Sequence, residues 1–215
     1  MNIPPDLIVG YRRFREENLD RRAGRYRSIA RAQNPRTMVI GCADSRVDPA
    51  TIFSAAPGEL FVVRNIAALV PPFEETGSCH GTSAAIEFAV VALNVENIVV
   101  LGHGMCGGIA AALLSAKGQA IGRFIEPWVE LIAGSRDELL DRPGPMDPVA
   151  RQKALERMAV QDSLQNLTTF PFVRDAVDAG HLVLHGAWFS IADAELRWLD
   201  RDTGVFEQVE IRNTN

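Results

Sequence analysis

Short apolar runs closed by turn residues set the rhythm of the chain. Met38-Val39-Ile40 ends in Gly41-Cys42, and Leu60-Phe61-Val62-Val63, Ile98-Val99-Val100-Leu101 and Leu182-Val183-Leu184 follow at intervals. Runs of this length, rich in β-branched residues, predict buried strands. Between the second and third runs, the apolar stretch from Thr82 to Leu93 predicts a buried helix. Asp48-Pro49 reads as an N-cap with proline at the first helical position, opening a short helix. Gly107-Gly108 leads into another helix, and about 121–177 predicts further helices broken near Arg142-Pro143-Gly144-Pro145. From His181 to Val209 the pattern returns to strands, with turns near Ala192-Asp193 and Asp202-Thr203-Gly204. Ahead of all this, Leu7, Ile8, Tyr11, Phe14, Leu19, Tyr26 and Ile29 are spaced for one or two amphipathic helices.

Strands alternating with helices predict an α/β fold. A mainly parallel central sheet is flanked by helices, with an antiparallel edge strand at the end and extended N-terminal helices. No repeat or low-complexity tract divides the 215 residues. One domain over 1–215 is expected, with 1–33 as a helical arm.

Composition narrows the function classes. With 47% hydrophobic and 23% charged residues the chain is ordinary for a globular protein. A net charge of -5 leaves no basic excess for nucleic acid. The N-terminal arginines are interleaved with Glu16, Glu17 and Asp20, as on a solvated helix face or an oligomer contact. No apolar run is long enough for a membrane span, and the start lacks the pattern of a secretory signal. Cys42, Cys79 and Cys106 are an odd number without a C-x-x-C pair, which favours metal or catalytic thiols in a reducing, cytoplasmic setting over a disulfide framework.

Two segments carry the candidate chemistry. Cys42-Ala43-Asp44-Ser45-Arg46 and Gly102-His103-Gly104-Met105-Cys106-Gly107-Gly108 each follow a predicted strand. In an open parallel sheet the carboxyl ends of strands gather the active site, so both segments should meet there. Thiolate and imidazole suit zinc, and three protein ligands leave a fourth position for water, as catalytic sites do. The start of the following helix should favour a thiolate at Cys106, and the glycines should let the backbone turn tightly. Spacing alone leaves other readings open. The cysteines could be small core hydrophobes, the glycine-rich segment a phosphate loop, and Asp44–Arg46 a structural ion pair.

The paired motifs resemble the β-class carbonic anhydrases: C-x-D-S-R at 42–46 and G-H-x-x-C-G-G at 102–108. The intervening PGELFVVRNIAALVPP at 57–72, AAIEFAV at 84–90 and NIVVLGH at 97–103, and the later LHGAWFSIADAELRWLD at 184–200, are similar too. The resemblance spans roughly 30–205. It implies one zinc ion per chain on Cys42, His103 and Cys106, with Asp44 and Arg46 as the catalytic dyad. It also implies hydration of carbon dioxide through zinc-bound hydroxide. Gln33, Phe61, Phe88 and Gly104 fall at substrate-pocket positions. Phe88 departs from the tyrosine of plant-like members, and Val39 from the tryptophan of the bicarbonate-inhibited subgroup. The plant-like Gln33 and Phe61, with no tryptophan at Val39, imply an Asp44 paired to Arg46 and turned from the metal. The family forms dimers and tetramers, so a homodimer or homotetramer is expected. Two further functions use the same ligands: hydrolysis of carbonyl sulfide or carbon disulfide, and a non-catalytic zinc or redox module. Cys79 is expected to be a buried or half-buried thiol and His80 a possible proton relay, while His181 and His185 are expected to be structural.

Overall fold

The computed structural model describes residues 3–76 and 81–210. Cys79 and His80 lie outside the described residues. Six strands form one sheet: β1 (Thr37–Cys42), β2 (Leu60–Asn65), β3 (Asn97–His103), β4 (Val183–Ser190), β5 (Glu195–Leu199) and β6 (Phe206–Gln208). Their order is β2-β1-β3-β4-β5-β6. The first four in that order run parallel, and β5 and β6 extend the sheet antiparallel. The four predicted runs are the four parallel strands. The antiparallel end is two strands wide rather than one, because the Asp200–Val205 turn returns the chain once more.

Eight α-helices are described: α1 (Pro5–Ile29), α2 (Pro49–Ile52), α3 (Gly81–Glu87), α4 (Gly107–Ser115), α5 (Ile125–Val129), α6 (Ala133–Asp141), α7 (Pro148–Leu167) and α8 (Pro171–Asp178). The caps follow the sequence. The Asp48 carboxylate accepts from Thr51 N, and the Asp147 carboxylate accepts from Val149 N and Ala150 N, each ahead of a proline. Beyond Glu87 the predicted helix widens into a π-turn, Phe88–Ala92, and its outer side is exposed at Phe88 and Val91.

Alternation along the strands sorts the core. Met38, Ile40, Ile98 and Val100 meet Leu164, Leu167 and Phe170 from the helical layer. Val39, Val99, Leu101 and Ala187 point to the opposite face, where Ile52, Phe53, Leu196 and Trp198 pack against them. That second face retains an apolar groove of about 310 Å³ between Val39, Phe53, Leu60, Val99 and Trp198. His185 closes its rim, bonded to Asn97 at 3.0 Å and tilted against Trp198. α1 is tied to the body at its end, by Arg25 to the Pro57 carbonyl and Glu59 and by Ile29 against Gly58. Its Leu7, Val9 and Tyr11 are exposed.

One buried carboxyl gives a pH-dependent prediction. Burial pushes the Asp162 carboxyl up; the Ser135 hydroxyl bonded to it at 2.9 Å opposes this, and the charge of Glu138 adds to it. A carboxyl raised in the fold stabilises fully below its ordinary range and loses that contribution as pH rises through the folded value. Asp162→Asn, whose amide oxygen still accepts from Ser135, should therefore raise the neutral-pH melting temperature by roughly 2 °C. The gain should vanish below about pH 4. An equal gain in acid would show that charge is not its source.

Candidate metal centre

β1 and β3 are adjacent and parallel, so their carboxyl ends deliver Cys42 and His103 to the same edge of the sheet. The loop after β3 brings back Cys106. The ligating atoms of Cys42, His103 and Cys106 lie within 4.8 Å of one another, and all three residues are buried. The sulfurs are 4.0 Å apart. Two sulfurs sharing a tetrahedral zinc at about 2.3 Å would stand about 3.8 Å apart.

The imidazole is oriented for coordination. His103 Nδ1 lies 2.9 Å from the Gly104 carbonyl, which fixes the proton on Nδ1 and the lone pair on Nε2. Among the described residues Nε2 is buried without a hydrogen-bond partner. A buried, unsatisfied nitrogen beside two thiols is costly unless something fills the space between them. The donor set fits zinc in type, number and spacing.

The two thiols shift each other in opposite directions. A hydrogen bond from Cys106 draws Cys42 far below the usual thiol range, against burial and with help from His103. Cys106 is driven up by its bond to Cys42, by burial and by the charge of Cys42. The Gly108 and Ile109 amides at the start of α4 pull Cys106 the other way, as the sequence predicts, but they are outweighed. Burial draws His103 down, yet the Cys42 thiolate and the Gly104 carbonyl leave it raised overall. A dication among these groups would favour both thiolates and a neutral imidazole.

Asp44 and Arg46 stand beside the cluster. Arg46 donates from Nε and an Nη to the two Asp44 oxygens at 2.9 and 2.7 Å, and from its backbone N at 3.0 Å. These bonds hold the Asp44 carboxyl far below the usual carboxylate range, with burial opposing. The same guanidinium donates to the Met105 carbonyl at 3.3 Å, joining the two motifs. Asp44 is thus turned to Arg46 and is outside the set of converging ligand atoms.

The remaining pocket positions fall elsewhere in the chain. Phe61 and Phe88 stack with ring centres 5.8 Å apart. Phe61 pairs with Met38, four residues before Cys42, so the two ends lie roughly 13 Å apart along the strand. Gln33 is exposed in the extended link between α1 and β1. Gly104 is committed to the scaffold: its N–H donates to Phe189 at 2.9 Å and its carbonyl holds His103. One chain brings neither Gln33 nor the phenylalanines to the metal cluster.

Gly102 and Gly108 of the second motif serve close packing rather than turning. A Cβ on Gly102 would stand 2.6 Å from Val160, and one on Gly108 2.7 Å from Ile66. The left-handed residue of the loop is Met105, with φ of 56°. Sequence reasoning also missed the residues that hold both loops. Arg64 donates to the Cys42 and Asp44 carbonyls at 2.7 and 2.6 Å, bracing the first motif from β2. Glu156, Gln152 and Trp188 brace the second. The signal for Glu156 was a charge in step with Leu155, Ala159, Val160 and Ser163 on the inward stripe of α7. Beside Asn65, the register partner of Cys42, a cleft of about 630 Å³ opens between Ile66, Thr82, Phe124 and Trp128.

Comparison with known proteins gives a consistent family. The carbonic anhydrase family pattern matches residues 37–196. The mitochondrial β carbonic anhydrase 6 of Arabidopsis thaliana is 39% identical over 178 residues, 81% of this chain and 60% of that protein. The chain therefore spans about 60% of the length of that relative. The solved β-carbonic anhydrase CcaA superposes with a TM-score of 0.88 at 29% identity, covering 95% of this chain and 98% of that one. A tetrameric β-carbonic anhydrase of Sordaria macrospora gives 0.73 at 30% identity, covering 90% and 92%.

Proposed function

The chain belongs to the β-carbonic anhydrase family, and on that footing we propose that it catalyses the reversible hydration of carbon dioxide to bicarbonate and a proton, with one zinc ion per chain. The observation that carries this reading is the convergence of three buried ligand atoms with the Asp44–Arg46 pair alongside. Cys42, His103 and Cys106 would hold the metal. Bound there, zinc supplies the Lewis acidity that makes water a nucleophile near neutral pH. Asp44, kept ionised by Arg46, has lone pairs left to accept a hydrogen bond from that nucleophile and orient it. Arg46 also fixes the distance between the two loops through the Met105 carbonyl. Carbon dioxide is small and apolar, so it needs a dry wall beside the site rather than a charged anchor.

That wall is the reason to propose a homodimer or homotetramer. Gln33, Phe61 and Phe88 can serve the cluster only from a second copy, since their own chain keeps them apart from it. The exposed apolar residues of α1 and the open groove on the second sheet face are surfaces a copy would cover. A reducing compartment suits two free thiols 4.0 Å apart, and we place the chain in the cytoplasm on that ground. Among the described residues no helix is long and apolar enough to cross a membrane.

The charge count at the metal predicts the pH profile. Two thiolates cancel the zinc dication, so water there should be less acidified than at a three-histidine site, where it ionises near pH 7. Stopped-flow hydration should still be rising above about pH 7.5. A rate already flat below neutrality would contradict the assignment of both cysteines as thiolate ligands. Assays with carbonyl sulfide and carbon disulfide on the same preparation separate the hydrolase reading, which requires turnover of those substrates in preference to carbon dioxide.

A further inference from the structure

Glu156 has a buried carboxylate that the hydration reading does not use. It projects from the middle of α7, is 3% exposed, and has no cation paired to it among the described ion pairs. A charge so placed is unfavourable unless hydrogen bonds satisfy it. Three do. Oε1 accepts the backbone N–H of Cys106 at 3.0 Å and the Gln152 amide at 3.1 Å, while Oε2 accepts the Trp188 indole N–H at 3.2 Å. Gln152, one turn earlier on the same face of α7, also donates to the Cys106 carbonyl at 3.2 Å. The peptide groups on both sides of Cys106 are therefore gripped by two side chains of one helix. The indole is fixed in turn, with Arg157 and Lys153 stacked on it at 4.9 and 5.2 Å.

The grip sits where the backbone needs it. Met105, just before Cys106, is held in the left-handed region at φ 56°, a conformation unfavourable for a side chain of its size. Cys106 itself is extended, the residue that caps α4. Relaxation of Met105 would rotate the following peptide and carry the Cys106 sulfur away from Cys42 and His103. We infer that Glu156, with Gln152, is a positioning residue that clamps the Cys106 peptide and so presets the metal-binding geometry. This rests on the zinc reading of the Cys42–His103–Cys106 cluster and goes beyond it, because neither residue offers the metal a ligand.

The test compares the parent chain with Glu156→Ala, Glu156→Gln, Gln152→Ala and Leu167→Ala. Leu167 is fully buried on the same helix but in the other core cluster, remote from the loop. Zinc affinity is read by competition with a chromophoric chelator, and ligand geometry from the visible spectrum of the cobalt(II)-loaded chain. Glu156→Ala should weaken zinc binding by roughly 10–100-fold and shift the cobalt bands. Gln152→Ala should do the same to a smaller degree. Glu156→Gln keeps an oxygen for the Cys106 N–H and should recover part of the affinity. Leu167→Ala should lower the melting temperature and leave zinc affinity and cobalt bands unchanged. The inference is overturned if Glu156→Gln and Gln152→Ala both keep parental affinity and spectrum, a comparison that stands even where Glu156→Ala does not fold. It is also overturned if Leu167→Ala loosens zinc as much as Glu156→Ala does. A parent chain that binds no zinc would instead fail the metal reading itself.

Discussion

Cys42→Ser is expected to leave a folded chain that holds no stoichiometric zinc and hydrates carbon dioxide at the uncatalysed rate. The sulfur contributes little to packing that an oxygen would forfeit, since the side chain is small and the backbone there is fixed by other residues. The Cys42 carbonyl is held by Arg64, and the strand by its neighbours β2 and β3. Its contribution to the site is different in kind. It is one of the three converging ligand atoms of the cluster. A serine hydroxyl stays protonated where a thiol ionises, so the site would drop to two ligands. Metal analysis and circular dichroism on one sample read both halves of the expectation. A folded serine variant that still carries one zinc per chain would show that Cys42 is not a ligand.

Asp44→Asn should give the opposite dissociation: zinc retained, catalysis lost. The carboxylate lies outside the converging ligand set, so the metal should bind as in the parent. What disappears is the charge and one of the oxygens that faces Arg46. An amide nitrogen set against a guanidinium is a donor facing a donor, so the pair should also part. Loss of a charge-assisted hydrogen bond that orients the nucleophile, about 1.5–3 kcal/mol, is worth about 10- to 100-fold in rate. Stopped-flow hydration at saturating carbon dioxide should fall within that range at unchanged zinc content. Near-parental turnover in Asp44→Asn would remove Asp44 from the chemistry and leave it an element of loop structure. The Asp44 carboxyl is held far below the usual range by Arg46, so its ionised form is lost only in acid. The parent's alkaline rise therefore belongs to another group.

The fold was legible where one period dominates. Met38–Ile40 and Ile98–Leu101 are runs that only a strand buried on both faces tolerates, and their shared parallel direction followed from the helices between them. The convergence of Cys42, His103 and Cys106 was legible because both motifs follow strands of one parallel sheet, while zinc as their use came from the resemblance, since spacing alone left core cysteines open. The scaffold around the cluster was not legible. Arg64 reads in sequence as an ordinary charge on a strand, and its reach to the Cys42 and Asp44 carbonyls is set by register with β1. Glu156 lies 50 residues from the peptide it holds, a pairing fixed only when α7 packs behind β3. The left-handed turn falling on Met105 rather than on a glycine was equally invisible, because Gly102 and Gly108 are required by close neighbours instead. The resemblance placed Gln33, Phe61 and Phe88 in a pocket that a single chain does not assemble, which moves that expectation to the contact between copies.

The central claim is that Cys42, His103 and Cys106 hold a catalytic zinc, and one preparation can test it. Zinc content and stopped-flow carbon dioxide hydration are measured together while the metal is withdrawn by a chelator and then restored. The account predicts one zinc per chain at the start, with hydration falling in proportion as zinc is removed and returning with it. Full hydration activity in metal-free protein, or stoichiometric zinc without any hydration, would contradict it.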